Sequence, residues 1–393
     1  MRILILSFYY APDLCAGSFR ATALVTALRE RAPPAVQIHV VTTLPNRYRS
    51  FSREAMQRET SDGVEIERIE LPSHRSDMLG QSLAFFRYAR RALRATADSD
   101  YDLVIATSSR LMTAALGAYI ARRKSAPLYL DIRDIFVDTI ADVLPAWAAG
   151  PAKLFFSRLE SWTMRRADRI NLVSRGFEGY FRSRYPRQLL AWFTNGVDEE
   201  FVALPPGEKV RRQDGRITIL YAGNIGEGQC LHGIVPGLAR ALAGRAQIIV
   251  IGDGGRKEAL QRALAAMQVD NVEVRPPASR AQLIGMYQSA DVLFLHLGAH
   301  PAFEKVLPSK LFEYAALGKP VLAGVAGYAA RFVQEEISNA AVFSPCDVPG
   351  AVAALNSLQL IDQPRNEFIA KFARANIARA MADDILSTPA RAG

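Results

Sequence analysis

The sequence predicts an α/β protein with two doubly wound parallel sheets in tandem. Three observations carry this. A chain of 393 residues has room for two domains of roughly 100–200 residues each. Short, wholly apolar runs alternate with helical stretches, the pattern of parallel strands covered on both faces. The alternation stops at one polar break and then restarts. Hydrophobic residues make up 50% of the chain and charged residues 22%, enough for each half to bury a core, which excludes disorder on a large scale.

The first apolar run, 3–7, leads into Tyr9, Tyr10 and Pro12. It is short and no small-residue cleavage site follows, so it reads as a buried strand rather than a signal segment. Further strands are expected at 37–42, 64–71, 103–107, 128–132, 169–173 and 191–193. Helices are expected at 20–31, 83–97, 114–123, 151–167 and 174–185, the last capped by Ser174. The break at 205–215 carries Pro205, Pro206, Gly207, Lys209, Arg211 and Arg212 and reads as a linker. The rhythm resumes with strands at 217–222, 246–251, 272–275, 292–297, 321–323 and 341–343. Helices are expected at 232–242, 256–267, 280–289, 310–317, 329–336, 350–358 and 365–386. No uninterrupted apolar stretch reaches the ~20 residues of a membrane helix. Two such domains are expected to face each other across a cleft, with ligands beyond the carboxyl ends of the strands.

The formal net charge of +9 favours acidic partners: nucleic acid, anionic lipid or phosphorylated small molecules. No helix-turn-helix, zinc-finger or RNA-stacking pattern is present, which sets nucleic acid aside. The three cysteines, Cys15, Cys230 and Cys346, are far apart in sequence and form no CxxC pair. That argues against a disulfide framework or a zinc site and fits a reducing cytoplasm.

Four stretches after strands can carry chemistry. In 10–18, Gly17 lets backbone approach a ligand at the positive end of the next helix. In Asp131-Ile132-Arg133-Asp134, either acid can take a proton and Arg133 can grip a phosphate; a self-satisfied ion pair is the bland alternative. Gly223-Asn224-Ile225-Gly226 and Gly252-Asp253-Gly254-Gly255 can offer N–H groups to phosphate oxygens, or be plain tight turns. The second fails the GxGxxG spacing of a dinucleotide fingerprint. The most specific stretch is Pro308-Ser309-Lys310-Leu311-Phe312-Glu313-Tyr314, ended by Gly318 and Pro320. Its helix start, with Ser309 and Lys310, suits a phosphate, and Glu313 one turn on can accept from two ribose hydroxyls. Asp98-Ser99-Asp100-Tyr101-Asp102 contains DxD patterns, but it precedes a strand and reads as a solvated turn.

With these residues in view, the chain resembles the GT-B glycosyltransferases of the large retaining family 4. The nearest branch is that of bacterial enzymes building O-antigen or capsule repeat units, including N-acetylfucosamine transferases. The resemblance spans nearly the whole chain through Ser7-Phe8-Tyr9-Tyr10-Ala11-Pro12-Asp13, Asp131-Ile132-Arg133-Asp134, Asn195-Gly196-Val197-Asp198, Tyr221-Ala222-Gly223-Asn224-Ile225-Gly226, Ile251-Gly252-Asp253-Gly254 and the Pro308–Tyr314 motif. It implies an acceptor-binding domain over 1–204, a nucleotide-sugar domain over 205–369, and a final helix, about 370–393, that packs back on the first. It implies that Glu313 binds the nucleotide ribose and that the leaving phosphate helps deprotonate the acceptor. Lys305, beside Glu304, replaces the family's first motif glutamate; Asn224 and Glu227 stand where the family has a basic pair. Lys310, helped by helix N-termini and Arg133, is expected to balance the diphosphate.

The expected catalytic residues are therefore Asp131, Arg133, Asp134 and Lys310. The donor nucleotide falls to Gly17, Gly223, Asn224, Gly226, Gly252, Gly254, Ser309, Lys310 and Glu313, and the donor sugar to Glu304 and Lys305. No metal and no cofactor beyond a UDP-linked sugar substrate are expected. The acceptor is a saccharide or a polyprenyl-diphosphate-linked sugar. Basic amphipathic stretches at 78–97 and 151–169 point to an anionic membrane surface, hence to a cytoplasmic protein peripheral on the inner face of the plasma membrane. Two other readings remain: a nucleotide-sugar epimerase of the same fold, for which His296 and His300 lie near the site, and a non-catalytic partner that binds a sugar nucleotide.

Overall fold

A computed structural model describes residues 1–13, 15–45, 55–71, 78–108, 111–137, 146–202 and 215–389. Apart from Gly215, the expected linker lies outside the described residues. The chain forms two compact units, Met1–Asn195 with Ala375–Gly393, and Gly196–Arg374.

The first unit is built on an eight-stranded sheet. Its strands are β1 (Arg2–Ser7), β2 (Gln37–Thr43), β3 (Arg58–Ser61), β4 (Val64–Ile69), β5 (Leu103–Ser108), β6 (Leu128–Ile132), β7 (Arg169–Leu172) and β8 (Leu190–Ala191), in the order β3-β4-β2-β1-β5-β6-β7-β8. Every residue of β5 and β6 is buried, as expected of apolar strands covered on both faces. Helices α1 (Ala16–Arg31), α2 (Met78–Ala95), α3 (Leu111–Arg123), α4 (Ala146–Arg166) and α5 (Glu178–Arg184) supply the cover. Among the described residues the one antiparallel pairing is β3 with β4, a hairpin absent from the sequence expectation. Its turn is Asp62-Gly63, both at positive φ (48° and 77°), the Asp-Gly signature of a tight hairpin.

The second unit holds a six-stranded, wholly parallel sheet in the order β11-β10-β9-β12-β13-β14. The strands are β9 (Ile217–Asn224), β10 (Ala246–Asp253), β11 (Val272–Arg275), β12 (Val292–His296), β13 (Val321–Gly324) and β14 (Ala340–Phe343). Helices α6 (Leu231–Ala241), α7 (Lys257–Met267), α8 (Arg280–Ser289), α9 (Lys310–Ala316), α10 (Gly327–Glu336), α11 (Val348–Ser357) and α12 (Asn366–Phe372) alternate with them. Strand order runs outward in opposite directions from β9 and β12, so the switch point, where such folds bind ligands, falls at their carboxyl ends.

The last helix, α13 (Arg374–Leu386), lays Ala378, Met381, Ala382 and Ile385 into the first unit's core beside Leu24 and Leu28 of α1. Asp384 fixes it by accepting from Tyr129 (3.0 Å) and Arg169 (2.8 Å). The sequence expectation of one helix over 365–386 is corrected: the chain breaks at Ala373. There Val197 donates to the Phe372 carbonyl (2.7 Å) and accepts from the Arg374 amide (2.8 Å), a short parallel bridge incompatible with continued helix. The same pairing moves Gly196–Val202 from the expected first domain into the second unit. Among the described residues, no helix is long and apolar enough to cross a membrane.

Candidate functional site

In the first unit, Asp131 is the penultimate residue of β6, inside the protein and 0% exposed. Both of its oxygens accept from Arg20 (2.8 Å each), and Oδ1 also accepts from Asn171 (2.7 Å). Arg20 goes on to donate to the carbonyls of Thr194 (2.7 Å) and Phe193 (2.8 Å). Burial alone would raise the Asp131 carboxyl, but Arg20 and Asn171 outweigh it and hold it below its usual value. Against the expected catalytic role, Asp131 is spent on structure: three donors hold its carboxylate and no solvent reaches it. It joins α1, β6, β7 and the chain after β8.

Arg133 and Asp134 differ. The Arg133 guanidinium lies across Gly17, where an added Cβ would sit 2.4 Å from its Nη1. The glycine is thus what admits an arginine to the first turn of the sixteen-residue α1. The Nε of Arg133 is buried with no hydrogen-bond partner among the described residues. Burial pulls the guanidinium down, against Asp134 and Asp131. A guanidinium and helix-end amides together make an anion cradle. Asp134 is an exposed residue, yet the surrounding protein pushes its carboxyl up to about 6 against Arg133. Contact with solvent moderates that push.

In the second unit, β9 and β10 end in register, Gly223 beside Gly252 and Asn224 beside Asp253. The strands approach so closely that a Cβ at Gly252 would sit 1.8 Å from the Gly223 carbonyl oxygen. Gly223 in turn lies under Lys310: a Cβ there would meet its Cε at 2.2 Å and Nζ at 2.5 Å. Lys310 opens α9, preceded by Ser309, whose side chain makes no capping bond. Burial pulls the Lys310 ammonium down and pushes the Glu313 carboxyl up; each opposes the other's shift, and Arg280 also lowers Glu313. Neither side chain makes an ion pair among the described residues.

Other expected contributors are spent locally. The Gly226 amide donates to Gln229 Oε1 (3.2 Å), which also accepts from Asn224 Nδ2 (2.9 Å). The Gly254 amide donates to its neighbour Asp253 (2.9 Å). In this arrangement Gly226, Gly254 and Asn224 shape the loops, their N–H groups engaged within them. Glu227 is paired with Arg256. Glu304 and Lys305 lie in the 3-10 turn Pro301–Lys305; Glu304 is exposed, and its carbonyl packs where a Cβ at Gly327 would stand 2.2 Å away.

Sequence reasoning missed the support behind Glu313. Arg280, at the start of α8, pairs with Asp198 and Glu200 and lies over the Phe201 ring, 5.0 Å from its centroid. Arg374 also pairs with Asp198 and donates to the Gly196 carbonyl (2.8 Å). Asp198 stood in a recognised motif, but its partners lie 82 and 176 residues away, so spacing could not reveal them. The DxD stretch sits before β5 at the amino edge of its sheet. There Asp102 accepts from the Arg2 amide (2.6 Å), and Asp98 and Asp100 are exposed.

Residues 17–196 match the model of the glycosyl transferase 4-like domain, and residues 208–375 match that of the glycosyl transferases group 1. With the two Rossmann-like sheets, these matches make the chain a glycosyltransferase of the GT-B type, its halves belonging to those two domain families. No curated protein matches the chain in sequence. Among solved structures it is similar to sucrose-phosphate synthase from Thermosynechococcus elongatus (TM-score 0.68, 13% identity, 99% of this chain and 94% of that one). It is similar to HepE of Anabaena in complex with UDP-glucose (TM-score 0.64, 16% identity, 99% and 97%). It is also similar to WaaG, a glycosyltransferase involved in lipopolysaccharide biosynthesis (TM-score 0.62, 14% identity, 97% and 95%). At these identities the likeness speaks for the fold.

Proposed function

We propose that this glycosyltransferase moves a hexose or N-acetylhexosamine from a UDP-linked donor to a lipid-linked or saccharide acceptor in cell-surface polysaccharide synthesis, with retention of configuration and without a metal ion. One observation carries the reading: Lys310, without an ion-pair partner among the described residues, lies over Gly223 one turn before Glu313. A half-buried cation with no carboxylate bound to it suits the charge that builds on a leaving diphosphate. Glu313 accepts from the ribose hydroxyls as a charge-assisted acceptor, and Ser309 offers its hydroxyl to a phosphate oxygen. Gly223 and Gly252 let the backbone come close to the nucleotide. Arg133, over Gly17, takes a phosphate oxygen with its unspent Nε–H. Glu304 and Lys305 contact the sugar hydroxyls.

In the retaining step, the bond from the anomeric carbon to the diphosphate oxygen breaks. That oxygen takes the proton of the acceptor hydroxyl as the hydroxyl closes on the same face. Asp134, pushed up to about 6, orients the acceptor near neutral pH. UDP as the nucleotide draws support from the HepE complex with UDP-glucose, and polysaccharide synthesis from the lipopolysaccharide role of WaaG. On α2, Leu83 and Phe86 are exposed beside Arg87, Arg90, Arg91 and Arg94; on α4, Leu154 and Phe155 are exposed beside Lys153 and Arg158. Such faces suit an anionic leaflet, where a lipid-linked acceptor resides. The epimerase reading loses one of its two histidines: both ring nitrogens of His296 are engaged, one with the Gln229 carbonyl and one with the Cys346 amide, while His300 accepts from the Ala302 amide through Nδ1.

Calorimetric titration with UDP, GDP and ADP, with and without EDTA, tests the proposal. Selective UDP binding that survives EDTA is expected. Binding of none of the three would leave a non-catalytic chain as the better account.

A further inference from the structure

Two cysteines lie side by side at the carboxyl edge of the second sheet. Cys230 follows the 3-10 turn Glu227–Gln229 and precedes α6, while Cys346 lies between β14 and α11. They are 116 residues apart, yet their sulfurs are 3.7 Å from each other, with the Cys346 thiol directed at Cys230. Their distance in sequence gave no sign of this proximity. Strands β12 and β13 separate β9 from β14, so a bond between these sulfurs would span two intervening strands.

The surroundings hold the pair in place. His296, the last residue of β12, clamps both loops: Nδ1 lies 2.7 Å from the Gln229 carbonyl, and Nε2 lies 2.9 Å from the Cys346 amide. A carbonyl only accepts and an amide N–H only donates, so the ring is neutral with its proton on Nδ1. Glycine makes the space: a Cβ at Gly233 would sit 3.0 Å from the Cys230 sulfur and 3.7 Å from that of Cys346. Both cysteines hold left-handed φ, 47° and 62°, which a residue with a side chain adopts only when its neighbours impose it. Both are partly exposed, within reach of small thiols.

We propose that Cys230 and Cys346 form a reversible disulfide, written by a low-molecular-weight disulfide of the glutathione type, that staples the 223–229 loop to the loop after β14 and weakens nucleotide binding. The effect on binding rests on the donor-site reading above; the bond itself does not. In the first step one cysteine thiolate attacks the small disulfide, forming a mixed disulfide and releasing one small thiolate. The neighbouring cysteine, its proton lost to solvent, then displaces the second small thiolate. Two protein thiols are oxidised by two electrons, and the small disulfide is reduced to two thiols. Burial, and then the Cys346 thiol, push the Cys230 thiol up to about 11. Closing the sulfur separation from 3.7 Å to about 2.05 Å pulls on Gln229, whose side chain holds Gly226 and Asn224 in place.

The full chain is equilibrated in graded mixtures of reduced and oxidised glutathione, alkylated, and mapped by peptide mass spectrometry, with UDP titrations of both end states. The expected product is a linked pair of peptides containing residues 230 and 346, with Cys15 unlinked and the chain lighter by two hydrogen atoms. UDP affinity should fall about tenfold, within the usual range for coupled sites, and return on reduction. Cys346→Ser should abolish both changes. Glutathione adducts that persist on either thiol without a linked pair would overturn the proposal, as would a linked form with unchanged UDP affinity. If the reduced chain binds no nucleotide, the donor reading falls and the regulatory half with it, while the linked peptide still establishes the bond.

Discussion

Asp131 with Arg20 in the first unit and Glu313 with Lys310 in the second are both acid–base combinations at strand ends or helix starts, and both are shielded from solvent. They differ in how their hydrogen-bonding capacity is used. Asp131 is fully buried and receives two bonds from Arg20 and one from Asn171, so its charge is stabilised in place. Lys310 and Glu313 are half-buried, displaced from their ordinary pKa values by burial, and make no ion pair among the described residues. Burial with the charge paired and hydrogen-bonded marks an anchor; burial without an ion pair marks a site suited to a ligand.

Breaking the anchor should have the largest effect. Asp131→Ala leaves Arg20 buried and unpaired, and stability measured by urea unfolding should fall by about 3–5 kcal/mol. A variant with unchanged stability and lost turnover would return Asp131 to the catalytic set. The His296 clamp comes next. Burial pushes its folded pKa down to about 4, below the unfolded value of about 6.5. Its contribution is therefore complete above about pH 6.5 and is lost as pH falls towards 4, about 3 kcal/mol in all. Wild type should lose stability across that window, and His296→Gln, with nothing to titrate there, should show a flatter profile.

On the unspent pair the readout moves from stability to binding. Glu313→Gln should leave the unfolding midpoint nearly unchanged and weaken UDP binding by about 1–3 kcal/mol. Equal affinities in calorimetry would remove the ribose assignment. The smallest expected effect is at Gly17. Only a flexible arginine end opposes a Cβ there, so Gly17→Ala should keep or raise stability by up to about 1 kcal/mol. Turnover should drop several-fold, in the range of one lost interaction, because Arg133 is pushed off the helix end. An unchanged rate would detach Arg133 from catalysis.

The alternation of apolar strand runs and helical stretches was legible because it depends on local composition and period alone. So was the Ser309, Lys310 and Glu313 cluster, which one helical turn brings together. The β3 hairpin was missed because its strand, Arg-Glu-Thr-Ser, is exposed and polar, although Asp62-Gly63 was there to be read. The break at Ala373 was invisible because it answers to a partner 176 residues upstream, Val197. The pairing of Arg20 with Asp131 across 111 residues was hidden for the same reason: contact between distant segments is a property of the folded sheet. The local engagement of the Gly226 and Gly254 amides was hidden too, because a glycine shows where backbone can go but not what its N–H meets.

The bridge between Val197 and Ala373 has a consequence for how such a chain is assembled. The polypeptide leaves the first unit after Asn195 and re-enters it at Ala375, and the two crossing segments are hydrogen-bonded side by side. Wired in this way, the second unit is an insertion whose ends meet, and closing the gap its removal would leave takes only a short loop of low entropic cost. The second unit is thus a cassette, exchangeable for another of its kind at two neighbouring peptide bonds while the first unit keeps its own threading, C-terminal helix included.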